Sequence, residues 1–192
     1  LSRLEADQLD PTAAPLDLDV LVEEVRHEIA PLLAERDNRL ELAIEGLLGV
    51  VVSDAEKLRQ ILRNLLTNAA KFTTRGRIRL EMAVESDDPD AWRLRFEVAD
   101  SGVGMSRAQL DQLFEPFLQG DSTAPRDYGG TGLGLTLSRR YVELLGGTMR
   151  VESEPCLGTS FHVEIPVGRI ADVPAALTSG DQGKSGETGA AP

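Results

Sequence analysis

Apolar and polar residues alternate along this chain with a period that changes several times, and each change marks an element. The clearest helical signal runs from Ala55 to Phe72, where Leu58, Ile61, Leu62, Leu65, Leu66 and Ala69 follow i, i+3, i+4, i+7 spacing and Asp54 is placed as the N-cap. A helix over about Asp19–Asp37 is expected to carry Val20, Leu21, Val25, Ile29, Leu32 and Leu33 on one stripe. Strict alternation predicts strands at Arg39–Glu45, Arg77–Glu85 and Trp92–Ala99, the last two joined by the turn-rich Asp87-Asp88-Pro89-Asp90. A short buried strand is expected at Val50–Val52, a short helix after Ser106, and closing strands at Thr148–Ser153 and Ser160–Ile165. A helix over Thr131–Leu145 should stop at Gly146-Gly147, a good C-terminal signal.

Punctuation then divides the chain. Leu1, Leu4 and Leu9 are spaced like the end of an amphipathic helix, and Pro11 and Pro15 break it. Glu115–Gly130 reads as a long loop, of a length that is usually functional. From Val167 to Pro192 the composition shifts to Gly, Ala, Ser and Pro, which reads as linker or tail. The expected organisation is therefore a leading helix end and linker at 1–15, one domain at 16–166 and a flexible tail at 167–192. No internal repeat interrupts it.

Composition narrows the function. With 41% hydrophobic residues in 192, a packed core is affordable. A net charge of −12, from 20 basic and 32 acidic side chains, argues against a nucleic-acid or anionic-membrane surface, since both require clustered Lys and Arg. The single Cys156 cannot form an internal disulfide and reads as a loop or strand-edge thiol, in keeping with a reducing, cytoplasmic location. No apolar run reaches the ~18 residues of a membrane span, and no signal peptide opens the chain. The chain begins at Leu1 and is read as an excised piece, so a parent anchored in the inner membrane is compatible with it.

Three segments carry candidate chemistry. On the helix from Ala55, Asn64, Asn68 and Lys71 fall within about 60° of one another, beside the apolar stripe. Asn is a poor interior helix residue, an amide oxygen suits a hard cation such as Mg²⁺, and Lys suits phosphate, although a plain polar helix face explains the same residues. Asp100-Ser101-Gly102-Val103-Gly104-Met105 follows a strand, with a carboxylate able to accept from a ring amino group and glycines that let backbone approach a ligand. Alone, this pattern is also a common turn. Gly129-Gly130-Thr131-Gly132-Leu133-Gly134 opens a helix, whose free N–H groups suit phosphate. Gly132-Leu133-Gly134 lacks the third glycine of a dinucleotide fingerprint, and Gly183-Lys184-Ser185 lacks the first glycine of a P-loop, which is Thr178 here.

The order of these segments resembles sensor histidine kinases. Asn64-Leu65-Leu66-Thr67-Asn68-Ala69-Ala70-Lys71-Phe72-Thr73 is similar to their N box, Asp100–Gly104 to the G1 box, Phe114-Glu115-Pro116-Phe117 to the F box and Gly130–Gly134 to the G2 box. Gly158-Thr159-Ser160-Phe161 is similar to their closing strand motif, so the resemblance spans about Leu1–Pro166. It implies the Bergerat fold, an α/β two-layer sandwich with a mixed, mainly antiparallel sheet covered on one face by helices. It implies ATP and Mg²⁺ as cofactors. Asn68 would ligate the metal with Asn64 close by, and Asn64, Lys71 and Arg126 would face phosphate. Phe72, Met105 and Phe117 would line the nucleotide pocket, while Asp100, supported by Thr159, would take the adenine amino group. Gly102 and Gly104 would allow close approach. Gly130, Thr131, Gly132, Leu133 and Gly134 would offer the phosphate-binding helix start, and Glu115–Gly129 the ATP lid.

The resemblance also implies what the chain lacks. His27-Glu28-Ile29-Ala30-Pro31-Leu32 looks like the family's phosphoacceptor motif but is one residue short before the proline, and it lies too close to Asn68 for a hairpin domain to fit between. His27 is read as an ordinary helix residue and His162 as a structural or exposed strand residue. The expected partners are a dimerisation and histidine-phosphotransfer hairpin of the same kinase and a downstream receiver domain or response regulator. The piece itself is expected to be a monomer with no nucleic-acid or membrane contact. The lid wording Ser122–Gly130 looks like hybrid kinases. Two other readings stand beside this one. An ATPase of the same fold would need a carboxylate where Asn64 stands, and a non-catalytic regulatory module would fold without binding nucleotide.

Overall fold

The computed structural model describes residues 11–44, 48–88, 91–113 and 133–169. Strand β1 (Ala14–Asp17) leads into α1 (Leu18–Glu35), followed by β2 (Arg39–Ile44), β3 (Val50–Ser53) and α2 (Ala55–Phe72). Then come β4 (Arg77–Asp88), β5 (Ala91–Asp100), the short α3 (Arg107–Gln112), α4 (Leu133–Leu144), β6 (Thr148–Glu154) and β7 (Gly158–Arg169). The strands form one sheet in the order β1-β3-β7-β5-β4-β2, with β6 also paired to β7. Among the described pairs only β2–β4 is parallel, and the others are antiparallel.

Alternation in the long strands separates two faces. Ile78, Leu80 and Met82 of β4, Leu94, Phe96 and Val98 of β5, and Phe161, Val163 and Ile165 of β7 are buried with the apolar stripes of α1 and α2 and with Val142 of α4. The opposite face carries charge, including ion pairs of Glu164 with Arg93 and Arg95, and of Glu85 with Arg95. Helices thus cover one face only, the two-layer α/β sandwich with a mixed, mainly antiparallel sheet that the resemblance implied.

Helix ends follow the expected chemistry. Asp54 caps α2 by accepting from Lys57 N–H, and Ser106 caps α3 in a capping box with Gln109. Helix α4 ends in paired bonds, Gly147 N–H to Val142 O at 2.8 Å and Gly146 N–H to Glu143 O at 3.0 Å, with Gly146 at φ +74°. Helix α1 closes the same way without glycine, through Asp37 at φ +54°.

Three expectations require correction. The stripe of α1 is Leu18, Leu21, Val22, Val25, Ile29 and Leu33, whereas Val20 is 52% exposed because it lies two steps, ~200°, from both Leu18 and Val22, on the opposite side of the helix. The boundaries at 15/16 and 166/167 both fall inside strands: Pro15 pairs with Val52 at an edge, and Val167 is buried while Gly168 pairs with Val52. Prolines that read as breakers are tolerated here, because Pro15 sits on an edge strand and both prolines are exposed. Pro31 likewise sits inside α1 on its exposed side.

Asp54 also anchors the leading segment. Its carboxylate accepts from Thr12 N–H at 2.8 Å and pairs with the buried Lys57 ammonium at 2.8 Å, while that ammonium lies 5.9 Å from the Tyr141 ring of α4. Burial pushes the Asp54 carboxyl up, but the bonds from Lys57 and Thr12 outweigh it and hold the carboxyl below its usual value. A depressed pKa contributes stability that is present above the unfolded value and lost as pH falls through the folded one. Lys57→Met is expected to lower unfolding free energy by about 3 kcal/mol, since it leaves a buried carboxylate without its counterion. Urea denaturation at neutral pH measures it.

Candidate active site

The last turn of α2 meets the end of β5 at one end of the sheet. Thr73, fully buried, points its hydroxyl at Asp100 Oδ1 (3.4 Å), and Gly102 N–H donates to the same oxygen at 2.8 Å. Both bonds go to the one carboxylate oxygen, Oδ1. Burial raises the Asp100 pKa, against smaller opposing effects of the Gly102 N–H, the Thr73 hydroxyl and the Thr159 N–H. Among the described residues no cation is bonded to this half-buried carboxylate, and such groups are costly to a folded domain and often mark binding sites.

The glycines of the Asp100 loop act on the protein's own backbone. A Cβ at Gly102 would lie 2.4 Å from Phe72 O, and one at Gly104 would lie 1.9 Å from Glu154 O. The close approach foreseen for a ligand is therefore an approach of this loop to the end of α2 and to the β6–β7 turn. Two bonds complete the docking, Val103 N–H to Phe72 O (3.2 Å) and Cys156 N–H to Val103 O (2.8 Å). Ser153 Oγ knits the far side: it accepts from Met105 N–H (2.8 Å), donates to Gly158 O (2.8 Å) and contacts Thr159 Oγ1 (2.9 Å). Thr159 stands opposite Asp100 in register and is buried, and its hydroxyl is directed to Ser153.

Helix α4 begins beside α2 because Asn64 holds it there. The Asn64 amide donates to Gly134 O (3.0 Å) and Ser138 Oγ (3.1 Å), and its oxygen accepts from Gln60 (2.9 Å). Asn64 was expected close to metal and phosphate; in the structure its side chain ties the first turn of α4 to α2. One turn on, Asn68 and Lys71 are half-buried, and their side chains form no hydrogen bond or ion pair with any described residue. Phe72 is 44% exposed. An amide oxygen, an ammonium, a partly exposed aromatic ring and a half-buried carboxylate near the end of α2 are groups whose chemistry fits a nucleotide with its metal.

Of the expected site residues, Asn64, Asn68, Lys71, Phe72, Asp100, Gly102, Gly104, Met105, Gly134 and Thr159 are brought together here. Phe117, Arg126, Gly130, Thr131 and Gly132, with the lid, lie outside the described residues, as does the Leu133 side chain. His27 is exposed on α1 against Glu23 O (2.7 Å), and His162 faces Glu97 on the charged sheet face at 3.7 Å. Both lie on other surfaces than this site, as their reading as ordinary residues requires. Cys156 is exposed in the β6–β7 turn at φ +65°. Sequence reasoning missed Ser153, Ser138 and Asn38, because lone polar residues in a strand, a helix and a turn carry no periodic signal.

Comparison with known proteins gives the family. Residues 53–169 match the family described as histidine kinase-, DNA gyrase B- and HSP90-like ATPases. The autoinducer 2 sensor kinase/phosphatase LuxQ of Vibrio cholerae is 40% identical over 92% of this chain and 21% of its own length. The sensor histidine kinase AruS of Pseudomonas aeruginosa is 40% identical over 93% of this chain and 18% of its own. This chain therefore spans about a fifth of the length of these curated relatives. Full-length ShkA, solved in complex with AMPPNP, superimposes with a TM-score of 0.69 at 32% identity over 82% of this chain and 32% of that one. The nucleotide-free catalytic domain of the histidine kinase ThkA, at 23% identity and a TM-score of 0.66, shares the fold. The chain therefore belongs to the histidine kinase-, DNA gyrase B- and HSP90-like ATPase family.

Proposed function

We propose that this domain binds Mg²⁺–ATP in the cleft between α2, the Asp100 loop and the start of α4 and passes the γ-phosphoryl group to a histidine on a separate helical hairpin of the same kinase. The observation that carries the reading is the placing of Asn68 and Lys71, partnerless among the described residues, on the helix whose end meets the half-buried Asp100. Asp100 Oδ2 accepts from the adenine amino group, and Phe72 and Met105 flank the base. Asn68 ligates Mg²⁺, Lys71 faces phosphate, and the N–H groups at the start of α4 complete the phosphate site. Gly130–Leu133, Arg126 and Phe117 take the remaining roles that the family resemblance gives them. The metal neutralises the charge of the polyphosphate when bound, and this chain's own part is to hold and orient the nucleotide.

In the transfer itself an imidazole nitrogen attacks the γ-phosphorus. The bond to the β,γ-bridging oxygen breaks and ADP leaves, and a base on the hairpin accepts the imidazole proton. Relatives named as sensor kinases support histidine as the acceptor. The phosphoryl group would pass onward to a receiver domain or response regulator, in a cytoplasmic two-component pathway with no nucleic-acid contact by this domain. Among the described residues no helix is long and apolar enough to cross a membrane. Direct hydrolysis is disfavoured because Asn64, where a water-activating carboxylate would stand, is an amide with both hydrogens engaged.

The proposal is tested by mixing the domain, ATP and Mg²⁺ with the separately produced hairpin. Acid-labile, base-stable phosphate on the hairpin histidine is expected; phosphate released only to water would assign the domain to the hydrolases instead. Asn68→Asp is expected to weaken Mg²⁺–nucleotide binding roughly tenfold, about 1.4 kcal/mol, by placing a second charge beside the phosphates. Its melting temperature should match the parent's, and calorimetry measures both.

A further inference from the structure

We infer that Asn38, in the turn between α1 and β2, is a positioning residue for the nucleotide cleft. This rests on the function proposed above. Asn38 is far in sequence from every box, yet its amide meets three backbone groups around the end of α2. Its nitrogen donates to Ala70 O (3.1 Å) and Thr73 O (2.9 Å), and its oxygen accepts from Gly76 N–H (3.2 Å).

Each of these partners bears on the cleft. The last carbonyls of a helix have no intrahelical donors. In α2 the cap residue's own N–H closes on Ala69 O (Thr73, 3.1 Å), whereas Ala70 O is claimed by Asn38 and Phe72 O by Val103 N–H (3.2 Å) of the Asp100 loop. The turn that carries Lys71, Phe72 and Thr73 is therefore clamped between Asn38 on one side and the Asp100 loop on the other. Gly76 makes the clamp tight. A Cβ there would lie 2.5 Å from Thr73 Cγ2 and 2.6 Å from Ser101 Oγ, so Gly76 fits closely between Thr73 and the residue that follows Asp100. Asn38 sets Thr73, and Thr73 sets the oxygen of Asp100 that the protein keeps for itself.

Asn38 is itself fixed. Its N–H donates to Leu33 O (2.9 Å) in the closing motif of α1, and the flanking backbone bonds Arg75 N–H to Arg36 O (2.9 Å) and Arg39 N–H to Gly76 O (3.0 Å) hold the two turns together. An amide suits this place where a cation would not: it supplies two donors and one acceptor at once, which matches two carbonyls and an N–H.

The test is calorimetric titration with a non-hydrolysable ATP analogue, at a temperature well below melting, of the parent chain, Asn38→Ala, Thr73→Val and the double variant. Asn38→Ala is expected to lose about tenfold in affinity, with or without Mg²⁺, because the base-recognition end is disturbed. The double variant should bind about as weakly as the weaker single variant, since both changes act through one contact with Asp100. Losses that simply multiply, or a lowered melting temperature with affinity within twofold of the parent, would overturn the inference and leave Asn38 a structural cap. Asn38→Ser, which keeps a single short donor, serves if the alanine variant does not fold, and is judged by the same two criteria. A parent chain that binds no nucleotide would overturn the proposed function and this inference with it, whereas parent binding with an unaffected Asn38→Ala overturns this inference alone.

Discussion

Asp100→Asn is expected to lose about a hundredfold in affinity for ATP analogues while melting at a higher temperature than the parent chain. The two effects have one cause. The substitution keeps the shape and keeps an oxygen for the Gly102 N–H and the Thr73 hydroxyl, but it turns Oδ2 into an NH₂ that faces the adenine amino group. An acceptor lost to a donor in a half-buried site costs about 3 kcal/mol of binding. Stability moves the other way because burial raises the Asp100 pKa. An acid with a raised folded-state pKa contributes stability that is present below its unfolded value and lost as pH rises through its folded value, so at neutral pH the ionised group is a cost that Asn removes. The gain in melting temperature should shrink as pH is lowered through the titration of Asp100, opposite in sign to the acid loss expected of Asp54. Scanning calorimetry of both chains from neutral pH to about pH 4 checks this. A parent and variant with equal melting temperatures at every pH would show that Asp100 is not under strain.

The largest structural effect belongs to Gly158. It sits at φ +107°, and a Cβ there would lie 1.9 Å from Asp100 O and 3.1 Å from Ser101 Cα. Its carbonyl also accepts from Ser153 Oγ, the hydroxyl that receives Met105 N–H. Gly158→Ala must therefore push apart the strands that present Asp100 and Thr159, or twist the β6–β7 turn out of register. Unfolding free energy is expected to fall by about 4 kcal/mol, from backbone conformation and overlap together, near the upper end of single-substitution effects. Gly49→Ala is the control. Gly49 also has positive φ, at +75°, but open space around it, so only the conformational cost of about 1–2 kcal/mol should appear. Equal losses in the two variants, measured by guanidinium denaturation, would mean that contact with Asp100 plays no part.

How far the sequence could be read follows from which signals are periodic. Helix α2 was legible in its bounds because its stripe, its Asp54 cap and its polar face all obey one period. The sheet faces were legible for the same reason. The edges were not: Pro15 and Pro166 look like stops, and only the pairing partners Val52 and Arg93 show that the sheet runs through them. Roles inside the site were harder still. Asn64 and the two glycines of the Asp100 loop were expected beside a ligand, and their neighbours in the structure are protein atoms: Gly134 O and Ser138 Oγ for the first, Phe72 O and Glu154 O for the second. A motif tells which residues gather, and whether a residue touches the ligand or holds its neighbour is decided by packing that spans 70 positions of chain, as it does between Asn64 and Gly134.

The central claim is that this cleft binds ATP through Asp100 and, by way of Asn68, its metal. The most direct test is calorimetric titration of the chain with a non-hydrolysable ATP analogue, with and without Mg²⁺, for the parent and for Asp100→Ala. Single-site binding that weakens without Mg²⁺ and disappears in Asp100→Ala is expected. Absence of binding by a demonstrably folded parent chain, or undiminished binding in Asp100→Ala, would contradict it.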